Sequence, residues 1–386
     1  MKSKTPPQEG AIIKTFFVLL LITTTVLVTY SRHLTLHFDN GDDAEFLAEA
    51  QQKDTIWKIL DYNFPSSQNS MAQSYFVPIQ TLIWRTLSTT SDRNPYYFYL
   101  FIILLHAINA IIVYFIAKQI LQNTLPSALA ALSFAIFYPN YHTTEWLGAS
   151  ISYVPGSFFY LLTLLLYLKY TQTKDNRWIA TSYITFFIGL FTREIHLWLI
   201  PIITIHYLLF IRVKSHLRIK RQDLIPIIYS VLSLPLIYIM LMKMSNPNYT
   251  IRSLWGGFNF GVNMLYRLMH YISYMITAVS VGQGMEMILA YTLLLSIPFI
   301  ACWALRDKTV LFLILTIIIT LSVFITNNFR DIYALSRHLY TASAFWFILI
   351  YYGYSRIGDP RIRTFSYSLL LSYTVLYNLV LIFLIK

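Results

Sequence analysis

The sequence predicts an all-α polytopic membrane protein, a bundle of about eleven transmembrane helices with amphipathic helices in its first outer loop. Three observations carry that expectation. Hydrophobic residues make up 56% of the 386 positions and charged residues only 12%. The apolar residues gather into repeated runs approaching the ~20 needed to cross a bilayer as helix. Lysine and arginine alternate in density from one inter-run segment to the next, as the bias toward cytoplasmic positive charge requires.

The runs follow one another in a regular order. The first, 11–30, is expected to be a retained anchor, because it is longer than the ~7–15-residue apolar core of a secretory signal and VTYSRH offers no small-x-small cleavage site. The loop 31–95 follows, and within it 44–60 spaces Phe46, Leu47, Ala50, Ile56, Trp57 and Leu60 among charged residues. That spacing suits a helix lying on the membrane surface, and 77–87 reads similarly. Spans are then predicted at 96–116, 125–138, 149–168, 178–191, 195–211 and 224–242. A second long loop, 243–284, has an amphipathic stretch at 258–279 and leads to spans at 285–305, 309–326, 339–354 and 364–385. The whole chain reads as one transmembrane domain without a soluble domain.

Two of these runs, 125–138 and 178–191, are too short for the hydrocarbon layer. Short spans thin the bilayer or are buried among longer neighbours, which leaves a polar recess beyond their ends. With the N-terminus inside, the inner segments and span ends hold 17 of the 29 Lys and Arg. Of the other 12, 8 lie in the two long loops, where charge says little about orientation. The short segments therefore favour a cytoplasmic N-terminus and an external C-terminus. The net charge of +12 is mostly this topological signal together with attraction to anionic lipid headgroups, so nucleic acid is not an expected partner. Cys302 is the single cysteine, which excludes disulfides within the chain and multi-thiolate metal sites. Glycine loops of dinucleotide or P-loop type are absent from the sequence.

Five outer loops hold 11 of the 17 carboxylates together with histidines and arginines. Asp42 and Asp43 in FDNGDDAEF fit a helix cap and also a general base, since adjacent like charges raise one pKa. In YPNYHTTEW, His142 and Glu145 stand at i and i+3 on one helical face and are expected to shape the recess; two ligands do not make a metal site. In TREIH, Arg193 and Glu194 fit a local ion pair or, through the arginine fork, an anion contact. In NNFRDIYALSRHLY, Arg330, Asp331, Arg337 and His338 place positive charge against the topological bias, for which an interfacial phosphate is one reason and an Arg330–Asp331 pair only half of one.

The order of these motifs resembles the GT-C class of membrane glycosyltransferases, especially the protein O-mannosyltransferase and polyprenyl-phosphate-sugar-dependent branch and its bacterial relatives. The similar pieces are the anchor and Asp42–Asp43, then YFVPIQTL, a span with His106 and Asn109, PNYHTTEW, Arg193–Glu194 and SRHLYTAS. Departures from the pattern are Val77 before the proline, Tyr153 or its neighbours after the His-Glu block, and Ser336 before the arginine. The resemblance implies an inverting glycosyltransferase of hexosyl or pentosyl type, acting on the non-cytoplasmic face of a membrane, with a bacterial or archaeal plasma membrane favoured over endoplasmic reticulum. Its donor would be a polyprenyl-phosphate-linked sugar and its acceptor a glycan, lipid or protein. Asp42, or Asp43 after it, would be catalytic; Arg337, Arg193 and His338 would hold the donor phosphate; His142, Glu145, Glu194 and His106 would shape the recess. No cofactor is required, and a divalent metal is not supported. The alternatives are a flippase or transporter of lipid-linked sugar, which would want a matching charge cluster on the cytoplasmic side, and a non-catalytic scaffold of the same fold.

Overall fold

The computed structural model describes residues 9–38, 42–52, 55, 57–59, 77–212, 221–245, 262–277, 303, 306–325 and 335–384. Among them the regular structure is helical throughout, and six helices are long and apolar enough to cross a membrane, which marks a multi-pass membrane protein. The number of spans is not fixed by these six, and the predicted span 285–305 lies almost wholly outside the described residues. Asp39, Arg330 and Asp331 lie outside them as well, as does most of the stretch 212–221.

The anchor is α1 (Glu9–Tyr30). It is apolar all round and exposes Phe16, Phe17, Leu20, Leu21 and Val28, which suits a helix at the lipid boundary. Of the amphipathic stretch predicted at 44–60 only the first half belongs to α2 (Asp42–Gln51), which ends before Ile56, Trp57 and Leu60; the stretch at 77–87 falls in α3 (Pro78–Thr90), and α2 and α3 pack on one another. Arg85 of α3 donates to the carbonyls of Ala50 at 3.1 Å and Gln51 at 3.0 Å, satisfying the acceptors that a helix end leaves open. Trp84 is buried against Phe46 and Phe98, fastening this pair to the bundle.

α4 (Pro95–Leu121) begins with Pro95 in the first turn behind an Asn94 cap that accepts from the Tyr96 N–H at 3.0 Å. It ends on Gln122, whose φ of 53° turns the chain sharply. Asn123 immediately caps α5 (Thr124–Ile136), accepting from the Leu125 N–H at 3.1 Å. The same economy recurs where α7 (Leu147–Thr173) ends on Lys174 at φ 60° and Asp175 caps α8 (Asn176–Leu190). These two-residue turns make α4 and α5, and α7 and α8, antiparallel neighbours.

The short fifth helix is half of a broken one. Thirteen residues rise only about 20 Å, and after an extended Phe137 the chain enters α6 (Tyr138–Glu145), most of which is buried. The break frees backbone groups, and two asparagines answer them: Asn140 donates to the Phe134 carbonyl at 2.8 Å, and Asn378 accepts from the Tyr138 N–H at 2.7 Å. Such re-satisfaction is what permits irregular backbone at membrane depth.

A 3₁₀ turn (Glu194–Trp198), α9 (Leu199–His206) and a π turn (Tyr207–Ile211) together form the next traverse. α10 (Ile225–Ser245), α11 (Val262–Thr277), α12 (Lys308–Ile325), α13 (Leu335–Ser355) and α14 (Pro360–Leu384) complete the bundle. Burial separates core from periphery: 78% of the most apolar stretch of α7 and 61% of that of α4 are enclosed, against 28% for α14 and 11% for α1. α13 packs on α5, α6, α7 and α12. The end of α1, the starts of α4 and α7, the tip of α6 and the start of α13 all meet at one end of the bundle, here the upper end.

Candidate functional site

The upper end contains a recess of about 260 Å³. Leu36 and His37 enter it from the chain leaving α1, Asp43 from α2, Tyr99 from α4, His142 and Glu145 from α6, and Trp146 from the junction of α6 and α7. His142 and Glu145 share a face of α6, as their spacing predicts. The Tyr99 hydroxyl donates to the Glu145 carbonyl at 3.0 Å, which ties the tip of α6 to α4. Desolvation raises the Glu145 pKa, and the nearby Arg32 charge opposes that rise.

Asp43 is buried, and its Oδ1 accepts from the Gly148 N–H at 2.7 Å. The sequence reading expects an aspartate to cap its own following helix; instead Asp43 caps α7, more than a hundred residues further along the chain. Trp146 at that helix start supplies no side-chain cap of its own. A carboxylate at a helix N-terminus meets the positive end of the helix dipole as well as an open N–H. Asp42 opens α2, but its side chain lies outside the described residues.

A second cluster stands beside the recess, with Trp146 between the two. The Arg337 guanidinium lies 4.8 Å from the Trp146 ring centre and 5.9 Å from that of Tyr153. Arg193 lies 3.5 Å from the Tyr153 ring and donates to the Ser152 hydroxyl at 2.5 Å. His338 Nδ1 and the Tyr153 hydroxyl are 2.8 Å apart, and the His338 ring stacks on Phe324 at 4.0 Å. Arg193 from one segment and the neighbouring Arg337 and His338 from another thus surround one tyrosine. The Arg337 Nε and the Trp146 indole N–H have no hydrogen-bond partner among the described residues.

Arg193 is held by a small device behind it. α8 ends at Leu190, and the Thr192 and Arg193 N–H groups both donate to the Gly189 carbonyl. His196 Nδ1 donates to the Arg193 carbonyl at 2.9 Å, with its ring laid against Gly189 so closely that a Cβ there would overlap it. Gly156 of α7 likewise leaves room for the Arg193 side chain, whose Cβ stands 3.4 Å from where a Gly156 Cβ would lie.

The remaining sequence candidates lie elsewhere. His106 does not line the recess: seven residues along α4 from Tyr99 put it about 10 Å deeper. There its Nε2 donates to the Ala135 carbonyl at 3.1 Å, so that Nδ1 accepts from the Tyr340 hydroxyl at 2.5 Å. Asn109 donates to the same hydroxyl at 3.2 Å and to the Val154 carbonyl at 3.0 Å, so His106 and Asn109 clamp α4, α5, α7 and α13 together. Glu194 starts the 3₁₀ turn, half-buried, and is not among the recess residues.

Sequence reasoning missed Trp146, Tyr99, Ser152 and His196. His196 carried a usable signal, its i+3 spacing from Arg193 in a tight turn; the tyrosines carried none in a chain with 30 of them. Among the described residues no three His, Cys, Asp or Glu gather closely enough to hold a metal ion. No protein-family model matches the chain, and no curated protein sequence matches it either.

Proposed function

We propose that the chain is an inverting glycosyltransferase that moves a sugar from a polyprenyl-phosphate donor to an acceptor hydroxyl on the non-cytoplasmic face. The observation that carries this reading is the adjacency of two complementary sites at one end of the bundle. A recess bearing Asp43, His142 and Glu145 adjoins, through Trp146, a cluster built on Arg193 and Arg337. The first offers proton acceptors, and the second offers a fixed positive field in which the Arg337 Nε has no acceptor among the described residues.

Inverting transfer needs both. A recess carboxylate takes the proton of the acceptor hydroxyl as its oxygen attacks the anomeric carbon from one face. The bond from that carbon to the phosphate oxygen breaks on the other face, and its electron pair leaves with the polyprenyl phosphate. Guanidinium groups aimed at the departing oxygen stabilise the charge that develops there. A lipid donor also accounts for arginines at the membrane interface on the side that the positive-inside bias leaves poor in them. In this reading the bundle crosses the membrane about eleven times, with the recess outside.

The test is incubation of the purified protein with a polyprenyl-phosphate-linked radiolabelled sugar and an envelope extract as acceptor source. Label should pass from the lipid phase to a new product, leaving polyprenyl phosphate. Label that crosses a liposome bilayer while still joined to its lipid would establish the transporter instead, and label that does neither would leave the scaffold.

A further inference from the structure

Asp43 and Glu145 face the same recess but are held in different ways. Asp43 is 1% exposed, and its Oδ1 is engaged by the Gly148 N–H at the first turn of α7. Releasing that oxygen would strip the most deeply buried long helix of its cap. The Glu145 side chain is exposed toward the recess, and its carboxylate accepts no hydrogen bond among the described residues. Its backbone is nonetheless fixed, because the Tyr99 hydroxyl holds the Glu145 carbonyl at 3.0 Å. An anchored backbone with an uncommitted carboxylate is what a group that must accept a proton and hand it on requires.

We propose that Glu145 is the general base of the transfer and that Asp43 is a positioning residue, which sets the start of α7 and with it Trp146 and Tyr153. The inference rests on the transferase reading above and names the residue that moves its proton. The acceptor O–H proton passes to a Glu145 carboxylate oxygen while the acceptor oxygen bonds to the anomeric carbon and the phosphate departs. The protonated Glu145 then returns the proton to water through the open mouth of the recess. Among the described residues, the charged or titratable groups around it are Arg32, His37, Asp43, Tyr99, Tyr141 and His142. Desolvation gives Glu145 a higher proton affinity than an ordinary carboxylate, with the Arg32 charge opposing, and a better base follows from a higher pKa.

The experiment measures single-turnover transfer against pH for the full-length protein, alongside donor binding and thermal unfolding. In the unaltered protein the rate should rise with pH through the raised Glu145 pKa and then level. Glu145→Gln should lower the rate by about 10²–10⁴-fold and abolish that rise, while binding the donor within about twofold of normal. Glu145→Asp, which keeps a carboxylate one methylene short, should be slower than the parent but keep the pH-dependent rise. Asp43→Asn should keep the rise and unfold at a lower temperature. A Glu145→Gln protein within threefold of normal and with its pH profile intact overturns the proposal, as does loss of the rise in Asp43→Asn. Either of those results leaves the transferase reading standing, whereas an unaltered protein that transfers no sugar overturns both.

Discussion

Arg337 occupies a position that electrostatics makes costly unless something negative comes to it. Stacking over Trp146 and Tyr153 gives it cation–π stabilisation, yet its Nε has no acceptor among the described residues. A donor phosphate would supply that acceptor. Arg337→Lys keeps the charge and loses the planar fork, so donor affinity should weaken. Arg337→Ala should weaken it further, by more than the ~1 kcal/mol of an exposed ion pair. Titrating polyprenyl phosphate without a sugar isolates this contact; an unchanged dissociation constant in both variants would reduce Arg337 to an interfacial anchor. The sequence singles out Arg337 for running against the expected charge bias, and Arg193 for its place in a tight turn between apolar runs. The choice between Asp42 and Asp43 was not legible there. Neighbouring residues on a helix point about 100° apart, and only the packing of α2 against α7 turns Asp43 inward.

Gly189 shows at the scale of an element how the arginine is held. The end of α8, the 191–193 turn and the following 3₁₀ turn close on one another only because a glycine lets the His196 ring lie against the backbone. Gly189→Ala must displace that ring and with it the hydrogen bond to the Arg193 carbonyl. Overpacking of this kind costs about 1–3 kcal/mol, so unfolding should come at lower temperature and donor affinity should fall. Adding His196→Ala removes the obstructing ring. The double variant should therefore lose less stability than the two single losses added together, a coupling read from a double-mutant cycle. Additive losses would mean that the two residues do not meet. The broken helix at Phe137 was legible only in part. The sequence predicts a short span at 125–138, but the buried return of α6 depends on Asn140 and on Asn378, a residue some 240 positions away, and no local pattern announces such a partner.

Across the whole molecule, hydropathy and the spacing of basic residues sufficed for the membrane class, because the bilayer imposes one requirement on every span. Which spans lie in the core was not legible, since α1 and α4 are about equally apolar and differ only in neighbours. The two ends of the bundle differ in chemistry. At the lower end Asp307 caps α12 through the Thr309 N–H at 2.8 Å, accepts from the Tyr352 hydroxyl at 2.8 Å and faces Arg356 at 3.6 Å. The sequence reading did not anticipate this cluster on that side, but it is ion-paired within itself. Burial pushes the Asp307 pKa up, and the hydrogen bonds from Tyr352, Thr309 and Val310 with the Arg356 charge more than offset it, so the carboxyl titrates below its ordinary value. A depressed carboxyl adds stability above its unfolded pKa and loses it as pH falls through the folded one. Thermal unfolding should therefore ease as pH drops below about 4, and Asp307→Asn should flatten that dependence; a profile unchanged by the substitution would rule the contribution out.

Sidedness is the prediction on which the outward-facing site depends. α13 starts at the upper end, where Arg337 meets Trp146, and descends to Arg356 beside Asp307. α14 then climbs back, and Asn378 near its close holds the Tyr138 N–H at the start of α6. The C-terminal helix therefore ends on the recess side. Lys118, Lys174, Arg177, Lys308, Arg356, Arg361 and Arg363 all lie toward the other end, at the opposite termini of the same helices. Cytoplasmic retention of positive charge should place that end inside. With Cys302→Ser as background, single cysteines introduced at position 2 and within 212–223 should be shielded from an impermeant thiol reagent in intact cells. Cysteines within 60–70 and after Lys386 should react. A reactive 212–223 segment would invert the bundle and put the arginine cluster in the cytoplasm, removing the reason for a polyprenyl-linked donor. A shielded C-terminus with a reactive 60–70 segment would instead separate α14 from the recess side and contradict the Asn378 contact.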